Sequence, residues 1–153
     1  MIEHMQEVKD LLAEYGLDDV VVTICDIAPE YAKSSKLRAA VDVTMTNTFP
    51  FWEGIPISGA VDDLQEDLGW LISQVESRSK PFVLGETGWP SDGFIQGVGV
   101  ASPENQLQYF VETFCQLEEN GWPYYWFTGI DNAWRQEQDP NNTIEGNWGF
   151  LSI

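Results

Sequence analysis

Basic residues are scarce in this sequence. It has 7 lysines and arginines against 25 aspartates and glutamates, so its formal net charge is −18. A surface of that sign repels the phosphates of nucleic acids and of anionic membranes. A polyanionic polysaccharide would be repelled for the same reason, whereas a neutral sugar polymer would not. The charge therefore argues against nucleic acid and membrane partners, but it does not identify the actual partner.

Cysteine and histidine are almost absent, with two cysteines and one histidine in 153 residues. Neither Cys25 nor Cys115 has another cysteine or histidine at a spacing typical of metal ligands. We therefore expect two free, buried thiols. His4 lies in a predicted helix, where we expect it to face solvent.

Long apolar runs are also missing. No segment approaches the roughly 20 apolar residues of a membrane span, and the first ten residues, MIEHMQEVKD, lack the apolar stretch of a signal peptide. The sequence thus predicts a soluble chain without a visible export signal. With 43% hydrophobic residues and no linker or low-complexity tract, residues 1–153 should form a single domain.

Helical and strand-like patterns alternate four times along the chain. Predicted helices cover 3–15, 31–39, 60–75 and a segment from Ser102 to Gly121, and predicted strands cover 20–24, 41–47, a segment opening at Pro81, and 124–130. This alternation is typical of a parallel α/β sheet. A closed (β/α)8 barrel needs eight such units and about 250 residues. The sequence therefore predicts a parallel (β/α) half-barrel, whose two open edges would need a partner.

The segment Pro81–Pro90, PFVLGETGWP, places a glutamate where an apolar strand ends. Gly88, Trp89 and Pro90 cannot continue the strand, so Glu86 should lie at its carboxyl end. A charge there is costly unless it is hydrogen-bonded or used in chemistry. Glu86 is therefore a candidate catalytic carboxylate, with a purely structural glutamate as the alternative.

These residues resemble a known enzyme family. The stretch Leu84–Gly93, LGETGWPSDG, is similar to the nucleophile signature of glycoside hydrolase family 17, the β-1,3-glucanases and related glucanosyltransferases. Segment 41–52 resembles the family's sixth-strand motif, and 102–105, 127–135 and 145–149 resemble its closing segments, in order. The resemblance covers nearly the whole chain and corresponds to strands five to eight of the family's TIM barrel.

The resemblance implies a retaining glycosidase acting on β-1,3-glucan, with Glu86 as the nucleophile. Such enzymes need a second carboxyl group about 5 to 5.5 Å away as the acid/base. In the family that glutamate ends the fourth strand, and this chain has no matching motif. No metal or organic cofactor is implied, and full-length relatives are extracellular or wall-associated. Hydrolysis and transglycosylation stay open, because either water or a sugar can accept the glycosyl group.

Family resemblance and position also predict the sugar-binding residues: Asn47, Phe49, Phe51, Trp52, Trp89, Asp131, Asn132, Trp134 and Arg135. Asn132 replaces a glutamate of the family and Arg135 a lysine, while Phe49 and Phe51 stand where many members have tyrosine. Aromatic rings at strand ends can stack on glucose units, although filling the core is the alternative.

Three interpretations follow from a half-barrel that lacks its acid/base. The chain could work with a complementary N-terminal half-barrel, on a second polypeptide or in a longer enzyme. Two copies could instead close an eight-stranded homodimer, with Asp131 of one copy nearest the place of the missing acid. Alternatively, the chain could be an inactive β-glucan-binding half-barrel.

Overall fold

Four parallel strands form the sheet, with helices between them along the chain. The computed structural model describes residues 1–75, 80–138 and 142–151. The strands are β1 (Cys25–Ile27), β2 (Thr44–Asn47), β3 (Phe82–Thr87) and β4 (Tyr124–Trp126), and the helices are α1 (Ile2–Glu14), α2 (Ala28–Lys33), α3 (Ser35–Ala40), α4 (Ala60–Val75), α5 (Pro103–Asn120) and α6 (Ala133–Gln138). The predicted parallel α/β sheet is confirmed.

The order of strands in the sheet is the order in the chain, β1-β2-β3-β4, and every pairing is parallel. Asn47 at the end of β2 is in register with Glu86 in β3. Because parallel strands end at the same edge of a sheet, these two side chains meet at its carboxyl edge. A parallel bridge between Ile130 and Leu151 extends this edge beyond β4.

The first strand begins later than predicted. The β-branched run Val20–Ile24 has no strand pairing, and β1 covers Cys25–Ile27 instead. The carboxylate of Asp42 accepts the backbone N–H of Val22 at 2.8 Å and is paired with Lys9, while the backbone N–H of Asp42 donates to the Val22 carbonyl at 3.0 Å. One backbone bond and one side-chain bond therefore stand where a strand ladder was predicted. Strands β2 and β4 are likewise shorter than the predicted 41–47 and 124–130.

Two of the long helices are close to the predicted ones. Helix α4 has the predicted bounds, and α5 begins after Ser102, whose hydroxyl accepts the N–H of Asn105, and ends at Gly121. Gly121 has φ of 65°, a left-handed conformation that favours glycine. The predicted helix at 31–39 is divided in two at Ser34, which caps α3 by accepting the N–H of Leu37.

The buried face of α5 differs from the apolar stripe of its sequence. Leu107, Val111 and Phe114 are exposed, whereas the helix buries a mixed set: Gln106, Tyr109, Thr113 and Leu117. The Tyr109 and Thr87 hydroxyls hydrogen-bond at 2.8 Å, so polar groups of helix and strand satisfy each other. Helix α5 therefore carries an exposed apolar surface at Leu107, Val111 and Phe114.

Buried side chains form two clusters. The larger one contains residues of α4, β3 and α5 together with Phe51, Trp89, Ile144 and Trp148, and the smaller one joins α1 to α2 and α3 through Met5, Tyr31, Leu37, Val41 and Leu71. Cys25 and Cys115 are free as predicted, but both are exposed rather than buried. His4 is exposed, with 80% of its side-chain surface accessible. Among the described residues, none of the helices has the length and apolarity to cross a membrane.

Candidate active site

Glu86 lies next to the last residue of β3, as the sequence predicted. Its strand neighbours Gly85 and Thr87 are buried, and Glu86 itself is partly buried. Burial raises the pKa of the Glu86 carboxyl, and the charge of Arg135 acts in the opposite direction. The site thus combines the partly desolvated carboxylate of Glu86 with the positively charged side chain of Arg135.

Glycines on both sides of Glu86 allow β3 to approach its neighbours closely. A Cβ atom on Gly85 would lie 2.3 Å from Cys25 Sγ and 2.9 Å from Asn47 Oδ1, and one on Gly88 would lie 2.1 Å from the carbonyl oxygen of Phe127. Gly88 has no room for a larger residue because the obstacle is backbone, whereas at Gly85 the side chains of Cys25 and Asn47 would have to move. The glycines of the Gly-Glu-Thr-Gly sequence are therefore explained by packing across the sheet.

Asn47 is held by a residue that the sequence did not mark as part of the site. The Cys25 thiol donates to Asn47 Oδ1 at 2.7 Å. Although Cys25 is exposed overall, partial desolvation of its thiol, followed by the charges of Glu86 and Asp26, raises the pKa of Cys25 to about 11, so the thiol stays protonated at neutral pH. The sequence did contain a signal for this contact. Cys25 stands at the carboxyl end of the first predicted strand, and Glu86 stands at the carboxyl end of another, so both belong to the same edge of a parallel sheet.

Arg135 is oriented by three neighbours. Its guanidinium forms an ion pair with Glu145 at 2.9 Å and lies 5.7 Å from the ring centre of Phe127 and 5.5 Å from that of Trp134. Sequence reasoning did not select Glu145, although it lies in a segment with family resemblance. Because half-exposed ion pairs are weak, we interpret Glu145 as fixing the direction of Arg135 rather than stabilising the fold.

Asp131 and Asn132 connect the closing segment to the end of the sheet. Asp131 Oδ1 accepts the backbone N–H of Gly149 at 2.8 Å. The N–H of Asn132 donates to the carbonyl of Gly146 at 3.0 Å, and its own carbonyl accepts the N–H of Arg135 at 2.9 Å. These contacts give both residues a structural role, and their predicted contact with sugar stays a prediction.

Two of the predicted sugar-binding aromatics are in the core. Phe51 and Trp89 are both 0% exposed, and their rings pack edge to face with centres 5.3 Å apart. Trp89 also donates its indole N–H to the carbonyl of Val100 at 2.9 Å. The prediction that they contact sugar is wrong in this structure, because a ring without accessible surface cannot stack on a ligand.

The other predicted aromatics retain accessible surface. Trp134 is 54% exposed, and Phe49 and Trp52 are partly buried. Phe49 and Trp52 line a cavity of about 140 Å³ together with Asn47. The structure therefore brings Asn47, Phe49 and Trp52 together around one cavity, with Asn47 in register with Glu86, while α6 carries Trp134 and Arg135.

Comparisons with known proteins agree on one family. The family model described as the BtgE/BtgC glycoside hydrolase domain matches residues 1–149. A probable glucan endo-1,3-beta-glucosidase btgC of Aspergillus fumigatus is 30% identical over 99% of this chain and 23% of its own length. The glucan 1,3-beta-glucosidase of Schizosaccharomyces pombe is 28% identical over 99% of this chain and 48% of its own.

Solved structures of family 17 enzymes are also similar to this chain over about half of their length. The glycoside hydrolase family 17 beta-1,3-glucanosyltransferase from Rhizomucor miehei superposes with a TM-score of 0.83 at 27% identity, over 99% of this chain and 52% of that one. An active-site mutant of this transferase, in complex with laminaritriose, gives 0.81 at 28% identity. The chain thus spans a quarter to about a half of the length of these proteins, and the predicted half-barrel is confirmed.

Proposed function

Because the chain belongs to the BtgE/BtgC glycoside hydrolase domain family, we propose that it is the nucleophile-bearing half of a retaining glycosidase that acts on β-1,3-glucan. The resemblance to glycoside hydrolase family 17 is confirmed by the matched relatives and structures. The observation that carries the proposal is the position of Glu86, a partly buried carboxylate at the carboxyl edge of the sheet beside Asn47 and within the field of Arg135.

In the proposed reaction the Glu86 carboxylate attacks the anomeric carbon of a glucose unit. The bond to the leaving oxygen breaks, and that oxygen receives a proton from a separate acid. Water or the hydroxyl of an acceptor sugar then attacks the glycosyl ester, loses its proton to the same group, and releases Glu86. Burial leaves the carboxylate poorly solvated, while Arg135 favours its ionised form.

The acid/base must come from outside the matched motifs of this chain. We propose that a complementary half-barrel supplies it and pairs with the open edges at β1 and β4. A second copy of the chain is the other candidate. In that dimer, Asp131 of the neighbouring copy would be nearest the place of the missing acid/base. The mass of the full chain in solution, measured by light scattering, distinguishes these arrangements, because only self-completion predicts a dimer of active chains.

The substrate would lie along the carboxyl edge of the sheet. Trp134, Trp52 and Phe49 offer partly accessible rings for the apolar faces of glucose units. Asn47, Asp131, Asn132 and Arg135 offer polar groups for sugar hydroxyls. A neutral glucan is compatible with the net charge of −18, and we expect the extracellular or cell-wall setting that the family resemblance implies.

One observation favours a second candidate function, a β-glucan-binding half-barrel that does not cleave. The chain has Asn132 where the family resemblance implies a glutamate. Losing that carboxylate removes a charge near the expected sugar while leaving the backbone contacts of Asn132 intact. Binding of laminarin without release of product, in a complete barrel, would support this alternative.

An activated, slowly hydrolysed substrate tests the nucleophile without needing the missing acid. A 2,4-dinitrophenyl 2-deoxy-2-fluoro-β-laminaribioside carries a leaving group that departs without protonation, and its fluorine slows breakdown of the glycosyl ester. We expect the full chain to gain one sugar adduct, located on Glu86 by peptide mass spectrometry. An adduct on another carboxylate would refute the assignment of Glu86.

The same reagent tests the electrostatic role of Arg135. The labelling rate should rise with pH through the Glu86 pKa, because only the ionised carboxylate attacks. Arg135 lowers that pKa, so Arg135→Met should move the midpoint of the rate profile to higher pH. Lys36→Met removes one positive charge at an exposed position and should leave the midpoint in place. Equal midpoints in all three proteins would contradict this role.

A further inference from the structure

Three carboxylates meet between the loop that follows β2 and helix α4, and two of them line the cavity that Asn47, Phe49 and Trp52 also line. Glu53 lies in the loop, and Asp63 and Asp67 are one turn apart on α4, on the same face of the helix. One oxygen from each of the three lies within 4.8 Å of the other two. Such an arrangement of like charges requires an explanation.

The cluster is electrostatically unfavourable as it stands. Glu53 is exposed and Asp63 and Asp67 are partly buried, and their carboxylates carry like charges at short range. Asp63 Oδ2 is buried, and it has no hydrogen-bond partner among the residues that the structure describes. A buried oxygen of this kind costs free energy unless something binds it.

Thr48 gives an independent indication that a ligand belongs here. It is 5% exposed, and its hydroxyl oxygen has no hydrogen-bond partner within the described part of the chain. Thr48 lines the cavity of about 140 Å³ that Glu53 and Asp67 also line. Thr48, whose hydroxyl is unpaired among the described residues, therefore lines one cavity with two of the three acidic residues.

We propose that Glu53, Asp63, Asp67 and Thr48 bind a hard divalent cation, with Ca²⁺ as the best fit. Calcium takes six to eight oxygen ligands at about 2.3–2.6 Å, so oxygens on opposite sides of the ion are roughly 5 Å apart. The three carboxylate oxygens lie within 4.8 Å of one another, close enough for one such ion to contact all three. Magnesium requires oxygens at about 2.0–2.1 Å in strict octahedral geometry, and the oxygen-only ligand set disfavours soft metals.

The ion has a structural role and takes no part in the sugar chemistry. It connects the loop at Glu53 to helix α4 and to the end of β2 at Thr48. Trp52 and Phe49 are sequence neighbours of these ligands and line the same cavity. Calcium therefore fixes the loop that presents these two rings at the sheet edge, and it raises stability by binding only the folded chain.

Calorimetric titration of the EDTA-treated full chain with CaCl2, at constant ionic strength, tests the site. We expect one saturable site per chain and a rise in the thermal unfolding midpoint with calcium, and weaker binding of MgCl2. Asp67→Asn should lower calcium affinity at least about tenfold, and Glu53→Gln should act in the same direction. Both variants remove mutual repulsion, so we expect them to fold without calcium.

Asp62→Asn is the matched control, because Asp62 is an exposed residue of the same helix outside the cluster. It makes the same change in net charge and should keep wild-type affinity. Thr48→Val retains the shape of the side chain and should weaken binding through loss of one oxygen. Absence of saturable binding at millimolar calcium, or equal loss in Asp62→Asn and Asp67→Asn, would overturn the proposal.

Discussion

Under the proposed mechanism, replacing Glu86 by glutamine is expected to lower cleavage of β-1,3-glucan by at least roughly 10⁴-fold, because removing one catalytic group costs about 10⁴ to 10⁶ in kcat. The amide has nearly the shape of the carboxylate but cannot form the glycosyl ester. Reducing ends released from laminarin, measured on the protein with its barrel complete, report this loss. Glucan affinity should remain largely intact, since the substitution retains the contacts of the site.

A matched change elsewhere separates this effect from the loss of one negative charge. Glu112 is exposed on α5, and Glu112→Gln should leave turnover within about twofold, as usual for surface substitutions. Full activity in Glu86→Gln would show that another group is the nucleophile. Loss of glucan binding together with turnover would instead indicate that Glu86 holds the substrate in place.

Replacing Trp148 by alanine is expected to destabilise the fold by about 3–5 kcal/mol. Trp148 is 1% exposed, and its ring centre lies 5.3 Å from that of Phe49, 5.6 Å from Phe51 and 5.7 Å from Phe127. Its removal leaves a cavity beneath the aromatic residues of the sheet edge. Equilibrium unfolding in urea, followed by circular dichroism, measures the cost.

Trp134 provides the control for this substitution. It is the same residue type at 54% exposure, so Trp134→Ala should change the free energy of unfolding by no more than about 0.5 kcal/mol. It should nevertheless weaken glucan binding if its ring stacks on sugar. Similar destabilisation by both substitutions would contradict the burial of Trp148 in the core.

Sequence reasoning located Glu86 and the long helices because their signals are local. A capping serine, a first-turn proline and a terminal glycine define α5 without knowledge of its surroundings. The first strand was misplaced because β-branched residues favour extended backbone but do not say where a partner lies. Val22 is bonded by the Asp42 side chain, a contact between distant residues that no local pattern contains.

The candidate site was only partly predictable for a similar reason. Motif and position place Phe51 and Trp89 near the sheet edge, yet which side of the edge a ring occupies depends on packing against Tyr109 and Trp148. The carboxylates of Glu53 and Asp67 meet only after the loop folds against α4. Contacts that depend on how elements dock cannot be obtained from the spacing of residues within one element.

The sequential order of the strands has a consequence for biosynthesis. Met45 pairs with Cys25, Val83 with Met45, and Tyr124 with Leu84, so each strand joins one that is earlier in the chain. A growing polypeptide can therefore add each new strand to a sheet that has already left the ribosome, without waiting for a later segment. Assembly in this part of the molecule can follow translation, with β3, the strand that carries Glu86, in place before the last strand has been made.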